Sequence, residues 1–572
     1  MNDFITKFHP KFISHWYIVI MCVLNLLVMH YELLCTSMEI RKLDGTEYVD
    51  NILAVAIDFC TLLWVSWSLF WGRRASFILC FSVTWLWSLS SVLYSRFFFS
   101  YLSLSAVSQG AVLFNDFMLK CVVYNLRVID SYYLLSLALF VILYKKLSYR
   151  IPFGVCLKCL FVVFLLLFFD IFTHIAYCVS TPRYRYPQYF INRMITRHLS
   201  SHQTTQQNYQ HFCRGEIRLL EIEIVDNLHG PIELDESQLR CIKETINGRM
   251  HDSYVSANRI PSYFNVVFII VESYMSFVSD MRVNGVEVTP FLNKLKCDST
   301  VYYNGKMKEN VTIGESSDGQ FIYMTGLLPL RSVVTVSKAC KLRLPGLPKS
   351  LNRESYMVIP TTANIWLQDE MCCQYGFQHL YTKNDFEINT NKQLNDEQVF
   401  ALSMKKEMSV SQPYFSVILT MSMHQPYIEQ IDPMFHVSSI NNELACYLNA
   451  CHYTDKQLNS YFKHLRETEQ YDHSLIVIAA DHPVHTTDFG GVSKDIPLYI
   501  VNVPVSLRNK FWQGECNQLD VYSTLLDLLG YKGDWCGLGH SLLSPYYTNN
   551  IPSQLWDVSE WIILGDFFSK DL

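Results

Sequence analysis

Five short stretches of this 572-residue chain hold side chains capable of metal, acid–base or nucleophilic chemistry. The apolar run Asn265–Val271 ends on Glu272, and the run Leu475–Ala480 ends on Asp481 and His482, with His485 close behind. Tyr414–Thr420 leads to His424, and Tyr356–Pro360 leads through Thr361 and Thr362 to Trp366. The fifth stretch, TIGESSDGQF (312–321), puts Ser316 after a glycine and ahead of a helical pattern. Two carboxylates and an imidazole form an oxygen-and-nitrogen ligand set for a divalent cation. A serine hydroxyl held by such a cation is activated as a nucleophile. A helix start beside it offers backbone N–H groups and positive dipole to a phosphate. Each residue alone has an ordinary reading: a polar residue after a strand opens a loop, and serine at a helix start is an N-cap. The joint pattern favours chemistry, because run after run terminates in a metal-capable group.

The elements that must position these groups follow from the hydrophobic pattern. From about residue 262, short Val/Ile-rich runs alternate with helical stretches. That alternation predicts an α/β domain with a buried, mostly parallel central sheet flanked by helices. In such sheets functional groups collect beyond the carboxyl ends of the strands.

The first 180 residues are different. Half of the chain is apolar, and the excess is concentrated here. Five stretches approach the roughly 20 apolar residues needed to cross a bilayer: 14–35, 51–71, 75–95, 130–145 and 152–179. The first lacks a small-residue cleavage site and is read as retained. Lys7 and Lys11, Arg73 and Arg74, and Lys145, Lys146 and Arg150 fall on one side if the spans alternate. The positive-inside rule makes that side, and the N-terminus, cytoplasmic. Arg41 and Lys42 in the first outer loop run against the rule. The amphipathic segment 96–129 is expected to lie along the outer interface or to re-enter. The expected organisation is a five-helix transmembrane domain (1–180), a partly helical connector (181–260, with helix over 235–247) and an extracytoplasmic catalytic domain (261–572). A net charge of -6 without a basic stripe excludes a nucleic-acid partner. Ten cysteines lie in the outer part, where an oxidising compartment permits disulfides. Cys446 and Cys451 are the local candidates for a pair, and no cysteine spacing makes a zinc site.

Seven motifs in order, NVVFIIVESYMSF, GESSDGQF, ANIWLQDEMCCQYGFQHLY, HQPY, YTDKQLNSYF, IVIAADHPVH and QLDVYSTLLDLLGY with GLGHSLLS, resemble the lipoteichoic acid synthase family of phosphoglycerol transferases. The outer domain of that family belongs to the sulfatase and alkaline phosphatase superfamily. The resemblance implies Glu272, Ser316, Asp481 and His482 as metal ligands, with Ser316, in place of the family's threonine, also the nucleophile. It implies His424 beside the substrate phosphate, and Trp366 in the substrate pocket. His485 is a further candidate there. Gln368 stands where the family carries an arginine, which bears on the head group rather than on the fold or reaction class. One divalent metal is implied, manganese or magnesium first and zinc as an alternative.

The expected function is a bacterial plasma-membrane phosphotransferase. It moves a phospholipid head group, phosphoglycerol or phosphoethanolamine, through a phospho-serine onto an extracytoplasmic glycan or lipid acceptor. A phosphodiester hydrolase of the same superfamily, or an inactive membrane scaffold, are the competing readings. The residues after Ser316 (Ser317-Asp318-Gly319) lack the pattern of a true sulfatase. The oligomeric state is not legible.

Overall fold

The computed structural model describes residues 10–38, 45–71, 73–98, 126–144, 232–252, 259–312, 314–331, 334–386, 393–425, 435–437, 443–484, 491–531 and 533–569, with single positions at 102, 123, 153, 157, 161, 427 and 489. They fall into two compact units, one ending with the described positions near 161 and one starting at 232.

The first unit contains α1 (Pro10–Met38), α2 (Gly45–Phe70), α3 (Arg74–Phe98) and α4 (Ser131–Tyr144). These helices cover four of the five stretches expected to span. The fifth, 152–179, lies outside the described residues apart from Phe153, Leu157 and Phe161, as does most of segment 96–129. Among the described residues, Arg74–Arg96 is long and apolar enough to cross a membrane, whereas Tyr17–Leu33 and Val128–Tyr144 are shorter apolar helices. Leu26, Met29, Phe81 and Phe140 are buried between the helices, with the Phe81 and Phe140 rings stacked at 3.9 Å. The buried Arg96 guanidinium donates to Glu32 at 2.7 Å and to both oxygens of Asp130 at 2.7 and 3.0 Å. One cation thus ties α1, α3 and the turn preceding α4.

The second unit opens with α5 (Glu236–Asp252), which covers and extends the helix expected in the connector. Asp235 caps it: its Oδ1 accepts from the Gln238 N–H at 2.8 Å, and Gln238 accepts from the Asp235 N–H at 3.0 Å. This is a reciprocal capping box.

An eight-stranded sheet follows, built from β1 (Asn265–Val271), β2 (Val301–Lys308), β3 (Glu354–Val358), β4 (His379–Tyr381), β5 (Tyr414–Leu419), β6 (Ser474–Ala480), β7 (Ile496–Val501) and β8 (Cys516–Asn517). The strand order is β8-β2-β7-β6-β1-β5-β3-β4. All pairings are parallel except those of β7, which runs antiparallel to both β6 and β2. The sheet is therefore mixed. Every residue of β1, β5, β6 and β7 is buried, which is why these strands read as unbroken apolar runs rather than alternating ones. The covering helices include α6 (Ser316–Thr325), α7 (Gln368–Tyr375), α8 (Asp396–Glu407), α9 (Glu443–Glu467), α10 (Asp520–Leu529) and α11 (Ser553–Leu564).

One expectation is corrected. Cys446 and Cys451 both lie on α9 and are not bonded to each other. Five residues apart on one helix, they point about 140° apart and do not meet.

Candidate metal and nucleophile site

Register brings the site together. Val271 of β1 pairs with Ala480 of β6, so Glu272 and Asp481 leave adjacent strands at the same level. On the other side of β1, Leu419 pairs with Ile270, and the Thr420 hydroxyl accepts from the Glu272 N–H at 3.0 Å. Three neighbouring strands thus end on one spot. The helix α6 is pinned over it. Tyr323 donates to the Ala480 carbonyl at 2.6 Å, and Gly319 lies so near the Asp481 backbone that a Cβ there would meet Asp481 O at 2.6 Å. Only glycine permits that approach.

Ser316 is the first residue of α6. Its Oγ lies 3.3 Å from Glu272 Oε2 and 3.0 Å from His482 Nε2. Glu272, Asp481 and His482 are buried, and their candidate ligand atoms lie within 4.8 Å of one another. His482 Nδ1 bonds the Pro483 carbonyl at 2.8 Å. That contact orients the ring and turns Nε2 toward the carboxylates.

The electrostatics are those of a cation site. Burial, followed by the neighbouring Glu272, pushes Asp481 up to about 7. Burial opposes a charge on His482, but Asp481, Glu272 and Glu315 together outweigh it and raise the imidazole to about 10. Two buried carboxylates share one imidazole at 3.6 Å from each, beyond hydrogen-bond reach. The donor set of carboxylates, imidazole and hydroxyl fits a divalent ion such as manganese, magnesium or zinc.

The loop before Ser316 is clamped from within the helix. Asp318 Oδ2 accepts from the Thr312 N–H at 3.0 Å, the Thr312 hydroxyl at 2.7 Å and the Gly314 N–H at 2.9 Å. Glu315 is held at φ 49°, ψ -119° and buried, and burial lifts its pKa to about 8 against the pull of His482. A non-glycine residue in that region is strained, and such strain gathers at functional sites. The helix start was expected to offer free N–H groups. Instead, Ser317 donates to Gly314 O, and Asp318 and Gly319 donate to Glu315 O. The dipole remains, but most of those donors are already used.

The other candidates are placed as follows. His424 follows β5, its Nδ1 bonded to the Gln425 carbonyl at 2.6 Å, and burial holds its pKa below the usual value, with His482 adding to that effect. Asp396 holds the same loop, accepting from the N–H groups of Met421 and Ser422 at 2.7 and 2.9 Å. Trp366 and Leu367 both sit in the left-handed region, at φ 53° and 52°. Gln368 bonds further along the helix that Ser316 begins. Its amide donates at 2.7 Å to Gln320, one turn along α6. His485 lies outside the described residues. Sequence reasoning missed Ser273, Glu315, Asp318, Gln320 and Thr420. The glycine inside SSDGQ was the one available signal, since it marks a close backbone approach.

The mixed sheet thus carries two carboxylates and a histidine at its strand ends, with a serine at the start of the helix packed over them. Residues 264–531 match the Sulfatase family model. The chain is 28% identical over 335 residues to lipoteichoic acid synthase 2 of Bacillus subtilis (strain 168), covering 53% of this chain and 52% of that one. It is 24% identical over 333 residues to the lipoteichoic acid synthase of Staphylococcus aureus (strain USA300), covering 54% and 50%. The chain thus spans about half the length of the curated relatives it matches. The integral membrane lipooligosaccharide phosphoethanolamine transferase A from Neisseria meningitidis superposes with a TM-score of 0.51 at 13% identity, over 90% of this chain and 95% of that one, a likeness of fold. Residues 264–531 thus form a sulfatase-like domain, and the chain is similar to lipoteichoic acid synthases.

Proposed function

We propose that the chain is a membrane-anchored phosphotransferase that moves a phospholipid head group, phosphoglycerol or phosphoethanolamine, onto an extracytoplasmic glycan or lipid. The observation that carries this reading is the serine hydroxyl within 3.0–3.3 Å of an imidazole and a carboxylate at a helix start. Glu272, Asp481, His482 and the Ser316 hydroxyl would hold one divalent ion, manganese or magnesium before zinc, which when bound supplies Lewis acidity and favours the serine alkoxide.

The chain's own residues do the rest. Ser316 gives up its hydroxyl proton as its Oγ attacks the head-group phosphorus, a P–O bond forms, and the bond to the diacylglycerol oxygen breaks. The leaving oxygen takes up a proton. An acceptor hydroxyl then attacks the phospho-serine, losing its proton and returning Ser316. His424, its Nδ1 on the Gln425 carbonyl and its pKa held below the usual value by burial, would hold or move a proton in both steps. Trp366, Gln368 and His485 would line the head-group pocket.

The reading places residues 1–180 in the plasma membrane as five spans with a cytoplasmic N-terminus, 181–260 as connector and 261–572 outside. Anchoring keeps the site beside its lipid donor at high effective concentration. The test is mass spectrometry of the purified chain after exposure to defined phospholipid vesicles. A phosphoglycerol or phosphoethanolamine mass on Ser316, discharged by an added acceptor, is expected. Release to water alone indicates the hydrolase, and no adduct from any lipid sinks the transferase.

A further inference from the structure

Ser273, the residue after Glu272, makes three hydrogen bonds that converge on the site. Its hydroxyl donates to Glu272 Oε1 at 2.7 Å. Its backbone N–H donates to Asp481 Oδ1 at 2.8 Å. Its carbonyl accepts from the Tyr447 hydroxyl at 3.0 Å, and that same hydroxyl accepts from the Met275 N–H at 2.9 Å. Ser273 holds this position at φ 51°, a conformation disfavoured for a residue with a Cβ. A single strained residue therefore grips one oxygen of each carboxylate. The grip leaves Glu272 Oε2 toward Ser316 and Asp481 Oδ2 toward His482 at 3.6 Å; the gripped Glu272 Oε1 also stands 3.6 Å from His482 Nε2, and the His482 backbone N–H shares Asp481 Oδ1 at 2.8 Å.

We propose that Ser273 is a positioning residue for the divalent ion. It orients both carboxylates so that each offers one oxygen to the ion, while Tyr447 holds its backbone in the strained conformation that makes this reach possible. The proposal rests on the metal reading above. Ser273 touches neither the ion nor the substrate. Its effect passes through carboxylate rotamers, and outer hydrogen-bond partners of metal ligands typically govern affinity by about 10–100-fold.

The test uses the purified full-length chain, stripped of metal with a chelator and titrated with Mn2+ by calorimetry, alongside thermal melts. Ser273→Ala is expected to raise the Mn2+ dissociation constant about 10–100-fold. Ser273→Gly loses the same hydroxyl but adopts positive φ freely. Its affinity should fall as far, with a metal-free melting temperature equal to or above that of the parent chain. A purely structural serine would not uncouple affinity from stability in this way. Tyr447→Phe is expected to weaken binding less. Mn2+ affinities of both Ser273 variants within twofold of the parent overturn the proposal. A parent chain that takes up no divalent ion overturns the metal reading itself, which is a different result.

Discussion

Two buried triads with the same composition, one cation between two carboxylates, sit in the two units of this protein. In the helical unit, Arg96 bonds Glu32 and Asp130 directly at 2.7 Å each. In the sheet unit, His482 stands 3.6 Å from both Glu272 and Asp481. Among the described residues no lysine or arginine forms an ion pair with either of those carboxylates. The first triad is closed by charge-assisted hydrogen bonds. The second is held open, at a spacing that leaves room for an ion at about 2.0–2.3 Å from each ligand. Direct bonds neutralise the charge of the first triad, and the wider spacing of the second suits the ion site proposed above.

The sharpest way to break this contrast is at the nucleophile. Ser316→Ala should lower head-group transfer at least about a thousandfold and abolish the mass adduct, since no covalent step survives. Next come paired variants of the triads. Arg96→Gln leaves two buried carboxylates without their cation and should destabilise the helical unit by about 3–5 kcal/mol, read by thermal melts in detergent. Asp481→Asn keeps the oxygen that accepts from Ser273 and His482 yet removes the crowded charge. Metal-free stability should hold or rise while Mn2+ affinity falls at least about a hundredfold. A fall in stability with unchanged affinity would mean that the second triad is structural too.

A third buried carboxylate sharpens the comparison, because among the described residues it has only hydroxyl donors within bonding reach. Glu407, at the end of α8, accepts from Tyr461 and from Ser403 at 3.2 Å, with His464 at 3.7 Å. Burial pushes it up to about 7, against the pull of those hydroxyls. The folded state therefore holds this proton more tightly than the unfolded chain. The stability so gained is present below about pH 4.5 and is lost as pH rises toward 7. Glu407→Gln cannot ionise, so its stability advantage should be absent at acid pH and grow to the order of 3 kcal/mol by pH 8. A pH-independent difference in melts would contradict this. The smallest effect is steric. Gly319→Ala forces α6 away from the Asp481 backbone, where its Cβ would meet Asp481 O at 2.6 Å. It should cost about 1–3 kcal/mol and loosen the metal site with it.

Much of the site could be read from strand ends. Glu272, Asp481 and His482 each follow an uninterrupted apolar run, and in a parallel sheet such runs finish on the same edge. Ser316 was legible because a glycine-bearing turn precedes a helical pattern. The pairing of Gln368 with Gln320 was not, because nothing in linear spacing brings α7 to α6. The antiparallel direction of β7 was equally hidden, since a strand buried on both faces has the same composition either way.

Local chemistry in the chain determined which residues are able to form strands, which helix begins at Ser316 and which side chains are able to ligate. Those properties depend on near neighbours, and near neighbours are what a sequence records. Packing alone decided that Val271 pairs with Ala480, that α6 descends onto Asp481 through Gly319, and that Ser273 adopts positive φ under Tyr447. These are relations between residues roughly 160–210 positions apart, set by register and close packing in the folded domain.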